Sequence, residues 1–125
     1  QGVIKITMEG KLRNTMEEVS RAFVALALLI RKIGYAENIE FKYGEVPVLN
    51  RRVDGILTAQ TRDGPVTIGL EIISSEDEYE VEKNELKLRQ LKQMGKIDKG
   101  YVMVLPHSEV ESLLGDIDDA IKRVE

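Results

Sequence analysis

Apolar residues recur at helical spacing between Val19 and Ile33, where Val19, Phe23, Leu26, Ile30 and Ile33 form one stripe and Val24, Leu28 and Leu29 widen it. The pattern predicts a helix packed on more than one side. Thr15 and Glu18 have capping-box spacing at its start, each side chain satisfying one orphan backbone N–H. Glu17 and Glu18 lie at the positive end of the helix dipole, Arg31 and Lys32 at the negative end, and Gly34 stops it. Ahead of this helix, residues 3–8 alternate as a short strand ending at Gly10.

Period-two alternation predicts three strands next. The first is Ile39 to Tyr43, broken by Gly44 and Pro47; the second is Arg52 to Ala59; the third is Val66 to Ile73. Arg62-Asp63-Gly64-Pro65 has turn composition, so the second and third strands read as an antiparallel hairpin. The third strand sets Val66, Ile68, Leu70 and Ile72 on one face, with Thr67, Gly69, Glu71 and Ile73 on the other. A charge-rich helix follows from near Ser75, capped by Ser75 and Glu78, to Met94, with Gly95 beyond it. Gly100 to Leu105 is nearly continuously apolar, which suits a central or parallel strand buried on both faces. Ser108 and Glu111 then cap a last helix carrying Val110, Leu113, Leu114, Ile117, Ile121 and Val124 at helical spacing. The expected fold class is α/β, a mixed sheet covered by helices and followed by a C-terminal helix, in a single domain over residues 1–125.

Composition narrows the chemistry. The 125 residues are 42% hydrophobic and 32% charged, enough for a core without staples. With no cysteine, disulfides, thiol catalysis and cysteine-based zinc sites are excluded; the one histidine, His107, leaves no second imidazole for zinc. The longest apolar run, Ala22 to Ile30, is too short for a bilayer and no secretory signal precedes it, so the expectation is a cytoplasmic protein without membrane contact. The net charge of -4 gives no overall field for nucleic acid, although a local patch remains open. Scarce Asn and Gln beside abundant Glu, Lys and Arg fit a thermophilic source. Phosphate-binding glycine loops, serine-hydrolase elbows and H-E-x-x-H zinc motifs are all missing. Glu76-Asp77-Glu78 reads most simply as acids at a helix start. Asp116, Asp118 and Asp119 lack the Gly and closing Glu of a calcium loop.

One pair carries more. Asp54 and Glu71 lie on the two strands of the hairpin, which brings them close, and two carboxylates can hold a hard cation such as magnesium or manganese. A structural alternative stands beside this: Asp54 next to Gly55 could make a turn hydrogen bond, and Arg52 could neutralise Glu71 across the hairpin. Together with the order helix, three strands, helix, strand, the pair resembles the PD-(D/E)XK nuclease superfamily, the restriction endonuclease-like fold. The matching segments are Arg52-Val53-Asp54-Gly55 and Leu70-Glu71-Ile72-Ile73, within a likeness spanning about residues 15 to 105.

The resemblance implies that Asp54 and Glu71 bind the metal, with Glu18 matching an acidic residue that some members add. It also puts Ile73 where the catalytic lysine belongs. Some members supply that lysine from the following helix, where Lys83, Lys87 and Gln90 share a stripe. Lys83 is the first choice and Lys87 the reserve. Gln90 matches a glutamine of RecB-like members, while Met94 stands at their tyrosine position. The implied activity is metal-dependent endonucleolytic hydrolysis of DNA, with Arg51, Arg52 and Lys42 on the phosphates. The alternatives are a nuclease fold without catalysis that binds DNA or a protein, and a dimerisation scaffold joined as a homodimer through the apolar surface of the first helix.

Overall fold

A computed structural model describes residues 5–10, 16–106 and 121–124. Among the described residues six strands form one mixed sheet in chain order: β1 (Ile6–Glu9), β2 (Glu37–Val48), β3 (Arg51–Thr61), β4 (Gly64–Ile73), β5 (Lys99–Val104) and β6 (Ile121–Val124). Helix α1 (Met16–Ile33) joins β1 to its parallel neighbour β2, and α2 (Glu78–Gln93) joins β4 to its parallel neighbour β5. The β2–β3 and β3–β4 pairs are antiparallel hairpins, and β6 lies antiparallel to β5.

Helices α1 and α2 cover opposite faces. Leu28 and Leu29 of α1 pack with Phe41, Leu57, Ile68, Leu70, Met103 and Leu105, all fully buried. Each such side chain contributes roughly 1.5–3 kcal/mol. Leu88 and Leu91 of α2 pack with Val53, Ile97 and Val102 on the other face. Most of the wide α1 stripe is thus buried against the chain's own sheet, and Phe23 remains exposed. No helix among the described residues is long and apolar enough to cross a membrane.

Glycine sets the height of α2. Gly69 of β4 and Gly100 of β5 are register partners. A Cβ on Gly100 would lie 2.9 Å from Leu88 Cβ, and one on Gly69 would lie 3.0 Å from Ile97 Cδ1 and 3.2 Å from Leu88 Cδ2. Two side-chain-free positions side by side let Leu88 sit almost on the backbone of the sheet.

Several elements differ from the sequence expectation. β2 runs on through Gly44 and Pro47 to Val48, because a bulge absorbs the irregularity: its register against β3 slips between Tyr43 and Val46, where Gly44 and Glu45 take positive φ of 84° and 55°. Asp77 rather than Ser75 caps α2, its carboxylate accepting from Tyr79 N–H at 2.9 Å. That cap gives the acidic run its structural role. The C-terminal helix is corrected at its end, since Ile121–Val124 is a strand whose backbone pairs with β5. The rest of that helix, with Ser108, Glu111 and Asp116 to Asp119, lies outside the described residues, as do Thr15 and His107. Gly34 does end α1, its N–H donating to Ile30 O at 3.0 Å with φ of 82°. Gly100 to Leu105 is buried throughout, flanked by β4 and β6.

Candidate functional site

The β3–β4 ladder runs from Thr61 opposite Gly64 to Gly55 opposite Leu70. One step further on, carboxylates take over from the main chain. Glu71 Oε1 accepts from Asp54 N–H at 3.1 Å, and Asp54 Oδ2 accepts from Ile72 N–H at 2.6 Å. Each acid thereby occupies a backbone donor of the opposite strand, and the two are locked together where the strands part.

The β2 bulge lies opposite the Val53–Gly55 stretch that carries Asp54. Val53 packs into the α2-side cluster, whereas Leu57 and Ala59 further along β3 belong to the α1-side core. Asp54 lies at the change of face. It lines a cavity of about 140 Å³ on the α1 side with Glu18, Arg21, Ala22, Tyr43, Gly44 and Ile72. Arg21 Nη1 donates to Leu105 O at 2.5 Å, tying α1 to the end of the β5 segment beside this cavity.

Glu71 is the buried member, 3% exposed. The Lys87 ammonium of α2 meets its Oε2 and also donates to Arg52 O at 3.0 Å. Burial, followed by the nearby Asp54 charge, pushes the Glu71 carboxyl from the ordinary 4.5 up to about 7, against the opposing pull of Lys87. A carboxyl poised near neutrality on a sheet interior can hold a cation or exchange a proton.

The structure therefore brings Asp54, Glu71 and Lys87 together and leaves other expected residues apart. Lys83 is exposed and forms no ion pair with Glu71, whereas Lys87 does. The reason is angular, since the buried stripe of α2 is Val81, Asn84, Leu88 and Leu91 and Lys87 lies about 40° nearer to it than Lys83. Arg52 is exposed and offers Lys87 its carbonyl, so it is not the ionic partner of Glu71. Glu18 shares the Asp54 cavity, yet no three acidic or imidazole side chains gather as a metal cluster among the described residues. Ile73 packs against the α2-side apolar cluster. Gln90, one turn beyond Lys87, holds a buried Oε1 with no hydrogen-bond partner. Lys42, Arg51 and Arg52 are exposed.

Two carboxylates without a third protein ligand suit magnesium or manganese, which keep several waters and take substrate phosphate as further ligands. They suit zinc and calcium less well, because those ions ask for more protein donors. Comparison of the chain with family models, with curated proteins and with solved structures finds no match.

Proposed function

We propose that this protein is a metal-dependent DNA endonuclease of the restriction endonuclease-like kind, with its lysine carried by α2. The observation that carries the reading is the interlocked Asp54–Glu71 pair at the parting of β3 and β4, with Lys87 on Glu71. The run α1, β2, β3, β4, α2, β5, with two antiparallel pairs and then a parallel one, also supports it.

In this reading Asp54 and Glu71 would hold magnesium or manganese, which when bound would supply Lewis acidity and a more acidic water. Lys87 orients the attacking water and offsets the negative charge that grows on the phosphorus oxygens. Its hydrogen bond to Arg52 O fixes the ammonium from a second side, so its position does not depend on Glu71 alone. Arg51, Arg52 and Lys42 hold the DNA backbone.

A second reading, a nuclease fold that binds DNA or a protein without cleaving, is favoured by Ile73 and by the ready-made Glu71–Lys87 ion pair, which satisfies the buried charge with no cation. Cleavage of plasmid, branched and single-stranded DNA with manganese separates the two. Activity lost in both Asp54→Ala and Lys87→Ala supports the nuclease. A silent wild type with an active Ile73→Lys variant supports the binding module.

A further inference from the structure

The β2–β3 hairpin outruns the rest of the sheet. Its ladder continues past Gly55 through Val46 opposite Val53, Pro47 opposite Arg52 and Val48 opposite Arg51, where the described β3–β4 ladder has ended. Val53 on this ribbon is buried in the α2-side cluster, and Val46 and Val48 pack against it, so the ribbon is a braced arm. Its tip is the two-residue turn Leu49–Asn50. Leu49 has a φ of 59° and is 57% exposed. A tight hairpin favours Gly or Asn at a positive φ, so a bare leucine there is disfavoured by backbone and solvent alike. Such a residue is a functional candidate.

Charge indicates the partner. In a chain of net charge -4, residues 46–52 contain two arginines and no carboxylate. Both arginines are exposed and immediately follow the apolar tip. An apolar wedge flanked by guanidinium groups is the chemistry that opens a base step while gripping phosphates.

We propose that this ribbon is a DNA-deforming arm, with Leu49 entering between bases and Arg51 and Arg52 holding the flanking phosphates, so that duplexes with a weakened step are the preferred substrates. The inference rests on the nucleic-acid reading above and names the substrate class for that site. Leu49 stands in the turn five residues before Asp54, so at ~3.4 Å per residue the two are at most roughly 17 Å apart. Cleavage therefore falls within about five nucleotides of the disrupted step, at ~3.4 Å per nucleotide along a strand.

The test measures binding in EDTA, by anisotropy, to a short duplex that is fully paired or carries one unpaired adenine beside 2-aminopurine. The full chain should bind the disrupted duplex about tenfold more tightly and raise the 2-aminopurine fluorescence. Leu49→Gly, which tolerates the positive φ, should bind both duplexes equally and lose the fluorescence change. Arg51→Ala and Arg52→Ala should weaken binding to both and lower the salt slope by about 1 each. A Leu49→Gly protein that keeps the preference overturns the arm, as does a wild type that binds both duplexes alike. Asp54-dependent cleavage without any preference leaves the nuclease standing and the arm refuted. A Leu49-dependent preference without cleavage leaves the arm standing and the catalytic reading refuted. Binding to neither duplex refutes the arm; with no cleavage in manganese either, the nuclease is refuted too, and a protein is left as the partner of the tip.

Discussion

Replacing Glu71 by Gln should change how stability depends on pH. With its carboxyl ordinarily at 4.5 and pushed up to about 7 in the fold, Glu71 keeps a proton across a range where the unfolded chain has released it. The folded state then binds more protons than the unfolded state, so stability falls as pH rises, by up to about 1.4 kcal/mol per pH unit for one such group. Its contribution is fully present below 4.5 and lost as pH passes about 7, a total of about 3 kcal/mol. Glutamine has no proton to lose and can still accept from Asp54 N–H, while Lys87 keeps Arg52 O and partial access to water. Urea unfolding from pH 5 to 8 should therefore show Glu71→Gln gaining about 2–3 kcal/mol on the wild type across the range, most of the total, because the unfolded carboxyl has already begun to release its proton at pH 5. Parallel curves, or a wild type flat across the range, would refute the argument that burial of this carboxyl sets the slope.

Gly100→Ala forces a methyl group against Leu88 Cβ, which is anchored to the helix, and should lower stability by about 1–3 kcal/mol in denaturant unfolding. Asp77→Ala removes the cap of α2 and should cost about 1 kcal/mol, read from the same transition. In the manganese cleavage assay Lys87→Met should abolish activity while Lys83→Met retains it; equal effects would mean that the ion pair to Glu71 plays no part in the chemistry.

In α1, β4 and β5 a single period is sufficient to read the element. The α1 stripe, the alternation in β4 that sets Glu71 opposite to Leu70, and the unbroken apolar run of β5 all follow from burial alone. β2 is longer than its own pattern indicates because Gly44 and Pro47 ordinarily punctuate strands, and a bulge with two positive φ values is a property of the pairing rather than of either residue. The end of the chain is ambiguous for a related reason: Ile121 and Val124 fit a helical spacing equally well, and pairing with β5 makes them a strand. At the site, the hairpin alone brings Asp54 and Glu71 together, whereas which α2 lysine meets Glu71 depends on angle around the helix, and the wheel that places Val81, Leu88 and Leu91 inside turns Lys87 nearer to the sheet than Lys83. That Gly69 and Gly100 pair across the sheet beneath Leu88 needs the register, which no single segment contains.

That glycine pair ties two free energies together. A lysine two residues beyond Glu71 on the same strand would stay beside it even if α2 came away from the sheet. Lys87 instead reaches Glu71 only while Leu88, its neighbour in the chain, is seated on Gly69 and Gly100. Assembly of the charged centre and docking of the helix are thus a single equilibrium, and whatever loosens α2 dismantles the centre in the same event. The amide protons of α2 should accordingly exchange with a protection that tracks the integrity of the Glu71–Lys87 contact from one variant to the next.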